Sequence, residues 1–182
     1  MSAIGLPDRK RTVCFNHMTE AYIISNLLSA AANLADECML DAAGLASPDT
    51  RVLLSIKAHP SATIRQISEI VGLSHSGAVR AVDRLQTRSF VERREGADRR
   101  NVSLHVTELG RETANAFLDQ RTGAIQRQLE KLTAEEQQEL AALLARMLQG
   151  VATDRPQAWR LCRDCDHDRC ERSGCPIGGA TL

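Results

Sequence analysis

Aromatic residues make up only 3% of this 182-residue sequence, although 43% of its residues are hydrophobic. Leucine, isoleucine, valine and alanine must therefore build the core, and that composition suits helices. No apolar run reaches the roughly 18 residues of a membrane-spanning helix, and the first residues, MSAIGLPDRKRTV, lack the apolar stretch of a secretory signal. We therefore expect a cytoplasmic protein with no membrane partner.

The chain also has no net charge, since 23 basic residues balance 23 acidic ones, but its charges are unevenly distributed. Residues 12–50 carry five acids and no lysine or arginine, residues 51–101 carry ten basic residues against five acids, and residues 102–150 are acidic overall. A basic segment between acidic flanks is typical of a chain whose middle binds phosphate. A solvated charged surface would give the same pattern. The charge distribution therefore indicates residues 51–101 as a candidate binding region, but it does not assign a function to them.

Motifs of catalysis are missing from the sequence. It contains no glycine-rich phosphate loop, no Gly-x-Ser-x-Gly nucleophile turn and no His-Glu-x-x-His metal motif. A protein that is not an enzyme is therefore predicted.

Helical periodicity runs through the first half of the chain. An apolar stripe covers residues 17–43, Ser47 opens a second helix, and Thr63 to Gln66 form a capping box that opens a third. Ser74 is placed to cap a fourth helix that reaches about residue 88. The three-residue turn Gly72-Leu73-Ser74 separates the third helix from the fourth. That spacing predicts a helix-turn-helix, whose second helix enters the DNA major groove.

The periodicity changes from helical to alternating after residue 90. Val102, Leu104 and Val106 alternate with polar residues, and a glycine-containing turn at residues 95–98 precedes them. This pattern predicts a β-hairpin, and a hairpin directly after a recognition helix is a wing. Thr107 then opens a long helix, and a capping box at Thr133 opens a last one. The predicted fold class is mainly α with a small β-hairpin wing, a winged helix-turn-helix.

The N- and C-terminal helices carry more apolar surface than a small winged domain can cover. A homodimer that joins these helices would bury the surface economically. An intramolecular helical bundle is the alternative.

Two segments carry a family resemblance. The first is ISEIVGLSHSGAVRAVDRL at residues 67–85, and the second is Asp98-Arg99-Arg100-Asn-Val-Ser-Leu-His-Val-Thr107-Glu-Leu-Gly110. In this order they resemble the MarR family of regulators, and the resemblance covers about residues 16–149. It implies an N-terminal arm at 1–15, a dimerising winged domain at 16–150 with a DNA-binding core at about 48–107, and often a small-molecule effector. Gly77, Ser89 and Val106 depart from the family pattern, and Gly77 is expected to loosen the recognition helix by up to about 1 kcal/mol.

A sequence-specific regulator needs side chains that reach base edges and cations that hold phosphates. Near the start of the predicted recognition helix, the candidates for reading bases are Ser74, His75, Ser76 and Arg80. The candidates for binding phosphate are Arg65, Arg84, Arg88, Arg93 and Arg94. At the wing tip, the resemblance implies that Arg99 enters the narrow minor groove, that Asp98 positions the wing through a salt bridge, and that Arg100 takes either role. For each single arginine, solvation is the alternative, and it is least favoured for Arg99, where the turn and the family motif coincide.

Residues 151–182 form a cysteine-rich tail that most MarR-like chains lack. Cys162, Cys165, Cys170 and Cys175 have the spacing C-x2-C-x4-C-x4-C, and such density in a cytosolic protein points to a metal. The spacing is that of a zinc knuckle with Cys170 in place of the histidine, whereas Cys175-Pro176 is similar to the end of ferredoxin ligand sets. Zinc, an iron–sulfur cluster, and free thiols or a redox disulfide all stay open. His167 lies between two aspartates and is expected in an exposed loop.

Cys14, followed by Phe15, resembles the cysteine of the family's organic-hydroperoxide sensors and is a candidate redox sensor. The expected function is a homodimeric regulator, usually a repressor in this family, that binds double-stranded DNA. Its operator affinity would respond to a small molecule, a metal or redox state. The alternative is a metal-dependent protein-interaction module that uses the winged helix as a scaffold.

Overall fold

The computed structural model describes residues 17–37, 44–45, 47–95, 102–173 and 175–177 of the chain. In chain order its elements are α1 (His17–Glu37), α2 (Ser47–Ala58), α3 (Ile64–Val71), α4 (His75–Thr87), β1 (Val91–Glu95), β2 (Val102–Val106), α5 (Glu108–Leu129), α6 (Ala134–Leu148), α7 (Arg155–Leu161) and α8 (His167–Ser173). The predicted fold class, mainly α with a small hairpin, is confirmed. Within the described ranges, no helix is both long and apolar enough to cross a membrane.

The helix-turn-helix is formed by α3, the turn at residues 72–74, and α4. Thr63 and Gln66 cap the start of α3 reciprocally, and the Gln66 side chain accepts the Thr63 N–H at 2.8 Å. Gly72 ends α3 with φ 76°, and a β-carbon there would meet nothing within 4 Å. Glycine is therefore required by the left-handed backbone and not by lack of space. Ser74 then caps α4, because its Oγ accepts the Gly77 N–H at 3.1 Å.

The core lies between α2, α3, α4, the hairpin and the first half of α5. Its largest fully buried side chains include Leu53 of α2, Ile67 of α3, Leu85 of α4, Leu104 of β2 and Phe117 of α5. Burying one such side chain contributes about 1.5–3 kcal/mol. With few aromatic residues available, aliphatic side chains supply most of this core, as the composition predicts.

The hairpin is fixed at its open end, next to the start of α5. β1 and β2 pair antiparallel, with Val91 opposite Val106. At the open end, the Thr107 N–H donates to the Phe90 carbonyl at 3.0 Å, and Thr107 Oγ1 donates to the Ser89 carbonyl at 2.6 Å. A β-carbon on Gly110 would lie 1.9 Å from the Phe90 carbonyl oxygen. The Thr-x-x-Gly segment therefore lets the start of α5 lie directly against the strand end.

The terminal helices leave large apolar side chains in solvent when the chain is taken alone. Tyr22 and Leu27 of α1 are 70% and 64% exposed, and Leu143 and Met147 of α6 are 52% and 50% exposed. α6 has no buried residue in the single chain. These faces carry the surface that the sequence predicts for dimerisation.

The cysteine-rich tail packs against the winged domain. α7 packs against α3, and both Ala158 and Cys162 are buried. Trp159 packs on the edge of the main core. The tail therefore packs on the winged domain, and a few of its apolar side chains are buried there.

Candidate nucleic-acid interface and cysteine cluster

The start of α4 presents polar side chains to solvent. Its buried face is Ala78, Ala81, Val82 and Leu85. On the exposed side lie Ser74, His75, Ser76 and Arg80. The predicted base-reading residues therefore share one exposed surface at the end of the helix that would enter a groove.

Gly77 lies against the cap of α4. A β-carbon on Gly77 would lie 3.1 Å from Ser74 Oγ, which is the atom that caps the helix. Such a contact is tight and would require the capping hydroxyl to shift by a few tenths of an ångström. Gln66 and Glu136 occupy the same position after the Thr63 and Thr133 caps, so a side chain there is compatible with capping.

Arg80 is exposed and makes no hydrogen bond or ion pair with any residue that the structure describes. Arg65 pairs with Glu69 at 3.2 Å, and both side chains are largely exposed. Arg94 pairs with Glu92 on the same strand. Exposed pairs of this kind contribute only about 0–1 kcal/mol. A phosphate can therefore replace either carboxylate at little cost.

Arg93 and Arg84 hold elements of the winged domain together. Arg93 of β1 binds Asp83 at 2.6 Å and Gln86 at 2.8 Å, and thereby braces the hairpin against α4. Arg84 forms two hydrogen bonds to Asp49, at 2.8 and 2.5 Å. Asp49 is only 3% exposed, and its hydrogen bond raises the pKa of Arg84.

The Asp49 pair gives Arg84 a positioning role between α2 and α4 that the sequence does not reveal. Its phosphate-binding role stays a prediction. Arg88 also has a structural contact, because its guanidinium lies 4.9 Å from the centre of the Phe90 ring.

Asp98, Arg99 and Arg100 at the wing tip lie outside the described residues, and so does Cys14. Their roles stay predictions. The described strands β1 and β2 lead into this segment on either side of it, and β1 is joined to α4 by contacts that include the Arg93 bridge.

In the tail, three of the four predicted metal-binding cysteines come together. The Cys162 thiol hydrogen-bonds both Cys165 and Cys175. The hydrogen bond from Cys162 is the main cause that lowers the pKa of Cys165 to about 6, with the charges of Arg121 and His167 acting in the same direction. The same hydrogen bond and burial raise the pKa of Cys162. Of Cys162 and Cys165, Cys165 is thus the thiol that loses its proton first.

The arrangement does not form a ready-made metal site. Across the parts of the chain that the structure describes, no group of three or more His, Cys, Asp or Glu side chains is placed to hold a metal ion. Cys170 lies on α8, where its N–H donates to the Asp166 carbonyl at 2.9 Å. His167, expected in an exposed loop, is instead partly buried, and its Nε2 lies 3.0 Å from the Cys162 carbonyl.

Sequence reasoning missed His59 and Trp159. Their rings pack at a tilt of 44° with centroids 4.6 Å apart, and the centroid of the His59 ring lies 5.3 Å from that of His167. Burial, followed by the charges of His167 and Arg155, lowers the pKa of His59 to about 4. The available signal was the single tryptophan of the chain, which falls in the tail just before the cysteines.

Taken together, a helix-turn-helix, a hairpin braced against its second helix, and an exposed polar surface at the start of that helix define a winged helix-turn-helix DNA-binding protein. Comparison with known proteins agrees. Residues 43–101 match the family model described as MarR family.

Relatives of known sequence and structure support the match over a longer range. The chain is 36% identical over 99 residues to the uncharacterized HTH-type transcriptional regulator YwhA of Bacillus subtilis, covering 54% of this chain and 71% of YwhA. It is 31% identical over 107 residues to the HTH-type transcriptional repressor MdtR of the same organism, covering 58% of this chain and 69% of MdtR. The crystal structure of YusO from Bacillus subtilis, 26% identical, superposes with a TM-score of 0.59 over 72% of this chain and 94% of YusO. The chain belongs to the MarR family of DNA-binding transcription regulators.

Proposed function

We propose that this MarR-family chain is a homodimeric, sequence-specific repressor that reads duplex DNA with the start of α4. The observation that carries the proposal is the exposed surface of Ser74, His75, Ser76 and Arg80, opposite the buried face of the same helix. Arg80 supports it most directly, since its charge is not engaged by any described neighbour. Side chains at this position of a recognition helix reach base edges in the major groove.

Dimerisation follows from the unpaired apolar faces of α1 and α6. A second copy of the chain would cover both faces at once. Because recognition helices in a dimer read two half-sites, the operator is expected to be a near-palindrome with its half-sites one helical turn apart, or a multiple of one turn.

A small molecule is proposed as one effector. Between α1 and α5 lies a cavity of about 380 Å³, lined among others by Ala35, Leu118, Arg121 and Ile125. The lining is mainly apolar, and it carries one cation, Arg121, and one anion, Asp166, so it is suited to a small, mainly apolar molecule with polar groups at one end. A ligand there would contact both a dimerisation helix and the helix that follows the wing.

The four cysteines of the tail are proposed to bind zinc or an iron–sulfur cluster. The support is their spacing and the contacts of Cys162 with Cys165 and Cys175. A four-thiolate set also needs Cys170, so metal binding would have to rearrange the loop between α7 and α8. Four thiolates fill a tetrahedral site and leave no open position for catalysis.

Operator binding tests the main proposal. Binding of the purified protein to a duplex from its own upstream region is measured against salt, with heparin as competitor. Arg80→Ala is expected to weaken binding at least tenfold and to relax base preference, because it removes a base contact. Arg99→Ala is expected to weaken binding to all sequences alike and to lower the salt slope by about one.

Arg160→Ala is the matched control, because Arg160 is an exposed arginine on α7, away from the hairpin and α4. It should leave both the affinity and the salt slope unchanged. A protein that prefers no duplex over the heparin-competed background would refute the regulator and favour the protein-interaction module.

A further inference from the structure

The C-terminal end of α1 is joined to the winged domain by an arginine of α2. Arg51 Nη2 donates to Asp36 Oδ2 at 2.7 Å, and both side chains are partly buried. The preceding residue of α1, Ala35, is 3% exposed, whereas residues 20–33 of the same helix are all exposed when the chain is taken alone. α1 is therefore attached to its own subunit near one end, and the rest of the helix extends away from that attachment.

The cysteine-rich tail contacts another nitrogen of the same guanidinium. Arg51 Nε lies 3.5 Å from Asp164 Oδ1, and the Asp164 side chain is only 17% exposed. The backbone of Asp164 is held separately, because the Arg121 side chain of α5 donates to the Asp164 carbonyl. Arg51 thus lies between a carboxylate of α1 and a carboxylate of the tail. A planar guanidinium that is held at two nitrogens turns less freely than one held at a single nitrogen.

Packing between α1 and α5 leaves the angle of α1 incompletely fixed. The cavity of about 380 Å³ lies between these two helices, lined by Ala31 and Ala35 on one side and by Leu118 and Ile125 on the other. Close-packed interfaces resist tilting, but helices that face each other across a cavity lack the contacts that provide this resistance. We therefore expect small tilts of α1 to differ little in packing energy. An ion pair at the attached end is then enough to select among them.

A small tilt of α1 becomes a large displacement where a second copy of the chain would bind. The exposed Tyr22 lies on the same helix as Asp36, about four turns earlier, which is about 21 Å along the helix axis. A tilt of about 10° at Asp36 would move Tyr22 by about 3.6 Å, close to the rise of about 3.4 Å per base pair in DNA. Because α4 belongs to the winged domain, the same tilt would change the distance between the two recognition helices of a dimer by a similar amount.

We propose that Arg51, held by Asp36 and Asp164, fixes the angle between α1 and the winged domain and thereby sets the spacing of the operator half-sites that the dimer accepts. The inference rests on the proposed function, since it assumes a homodimer that reads two half-sites. Arg51 is a positioning residue, because it acts on DNA through the orientation of α4. The tail takes part through Asp164 with its cysteines as free thiols, and no bound metal is required.

The experiment measures the affinity of the full-length protein, chelated and under reductant, for duplexes that carry the half-sites of its mapped upstream operator. The spacing between the half-sites is changed one base pair at a time in both directions. The wild type is expected to bind its preferred spacing at least about tenfold more tightly than either neighbouring spacing, a penalty comparable to that of one mismatched base pair. Arg51→Met should lower this ratio to within about threefold, because α1 can then adopt several angles.

Asp164→Asn is the second variant, and it tests the contribution of the tail. It keeps the shape of the side chain and removes only the charge that faces Arg51, so the ratio should fall to between about threefold and tenfold. Arg169→Met is the matched control, because it removes an exposed ion pair between the tail and Asp119 of α5 and leaves Arg51 with both of its partners. The control should follow the wild type within about twofold at every spacing.

The shape of the spacing profile distinguishes positioning from a merely structural role. A variant that is only less stable loses affinity by the same factor at every spacing, so a parallel loss in Arg51→Met, or an unchanged profile, would overturn the inference. A wild-type profile in Asp164→Asn would overturn the role of the tail. Equal binding of the wild type to all spacings would overturn the inference while operator binding stands. A monomeric protein, or one that binds no duplex, would refute the proposed function itself.

Discussion

The winged domain and the cysteine-rich tail are held by different forces. The winged domain buries a continuous aliphatic core, and its helices begin at capping residues that lie within a few positions of the bonds they make. The tail is attached through charged and aromatic contacts between residues far apart in sequence, such as Lys57 with Asp168. Only a few of its side chains, Ala158 and Trp159 among them, join the core.

This difference separates a rigid part from an adjustable part of one folding unit. Apolar burial changes little with salt or moderate pH, whereas ion pairs are screened by salt and titratable groups respond to pH. Conditions that leave the winged domain intact should therefore loosen the tail.

The largest effect is expected for Gly110→Ala in the winged domain. The new β-carbon would lie 1.9 Å from the Phe90 carbonyl oxygen, so the start of α5 or the strand end must move. We expect a loss of about 3 kcal/mol in the free energy of unfolding, measured by urea denaturation. The change should weaken operator binding as well, because it displaces the hairpin.

Gly123→Ala on the same helix is the control. A β-carbon at Gly123 meets only the flexible end of Arg127, at 3.8 Å. Alanine has the higher helix propensity, so the variant should be more stable by about 0.5–1 kcal/mol. If both variants were destabilised alike, α5 would need glycine at both positions for a reason common to the whole helix. The close approach of Gly110 to the Phe90 carbonyl would then not explain the loss of stability.

The second prediction concerns the tail at low pH. The pKa of His59 is lowered to about 4 in the folded protein, against an ordinary value of 6.5. Above pH 6.5 the His59 ring is uncharged in both the folded and the unfolded chain, so folding carries no penalty from it. As the pH falls from 6.5 towards 4, only the unfolded chain takes up the proton, and the folded protein therefore loses stability. Because the residue is only half-buried, we expect a loss of roughly 1–2 kcal/mol.

Fluorescence of Trp159, the single tryptophan of the chain, reports this loosening directly. The titration is made on chelated protein under reductant, so that metal–thiolate bonds add no pH dependence. His59→Phe has no group to titrate and should flatten the curve between pH 6.5 and 4. An unchanged curve in that variant would assign the pH response to another group, and the low pKa of His59 would then have no consequence for docking.

Local signals explain why the winged domain was largely predictable from sequence. The capping boxes at Thr63 and Thr133, the Ser74 cap and the alternation of Val102, Leu104 and Val106 each specify structure within about four residues, and each prediction is confirmed. The exposed surface at the start of α4 follows from helix periodicity in the same way. Its role in reading bases stays a prediction.

The contacts that sequence could not reveal are those between distant segments. Nothing in the local pattern shows that Arg84 binds Asp49, 35 positions away, or that His59 packs against Trp159. The cysteine spacing indicated a metal site in the tail. It did not indicate that the aspartates between the cysteines face Lys57 and Arg51 on α2.

The smallest effects on stability are expected for the ion pairs that hold the tail, where a nearly buried cation can be compared with an exposed one. Lys57 is nearly buried beside Asp166 and Asp168, whereas Arg169 and Asp119 are 60% and 59% exposed, 2.9 Å apart. Lys57→Met should cost about 1 kcal/mol of docking, since it removes a nearly buried cation from Asp168 and from Asp166, whose side chain is only 19% exposed. Arg169→Met should cost less than about 0.5 kcal/mol, because Arg169 is itself 60% exposed and Asp166 keeps its contact with Lys57. Urea titrations followed by Trp159 fluorescence, at low and high salt, measure both. If the two variants lose equal amounts, burial of the charge does not matter, and the tail is held by Ala158 and Trp159 in the same way as the core that it joins.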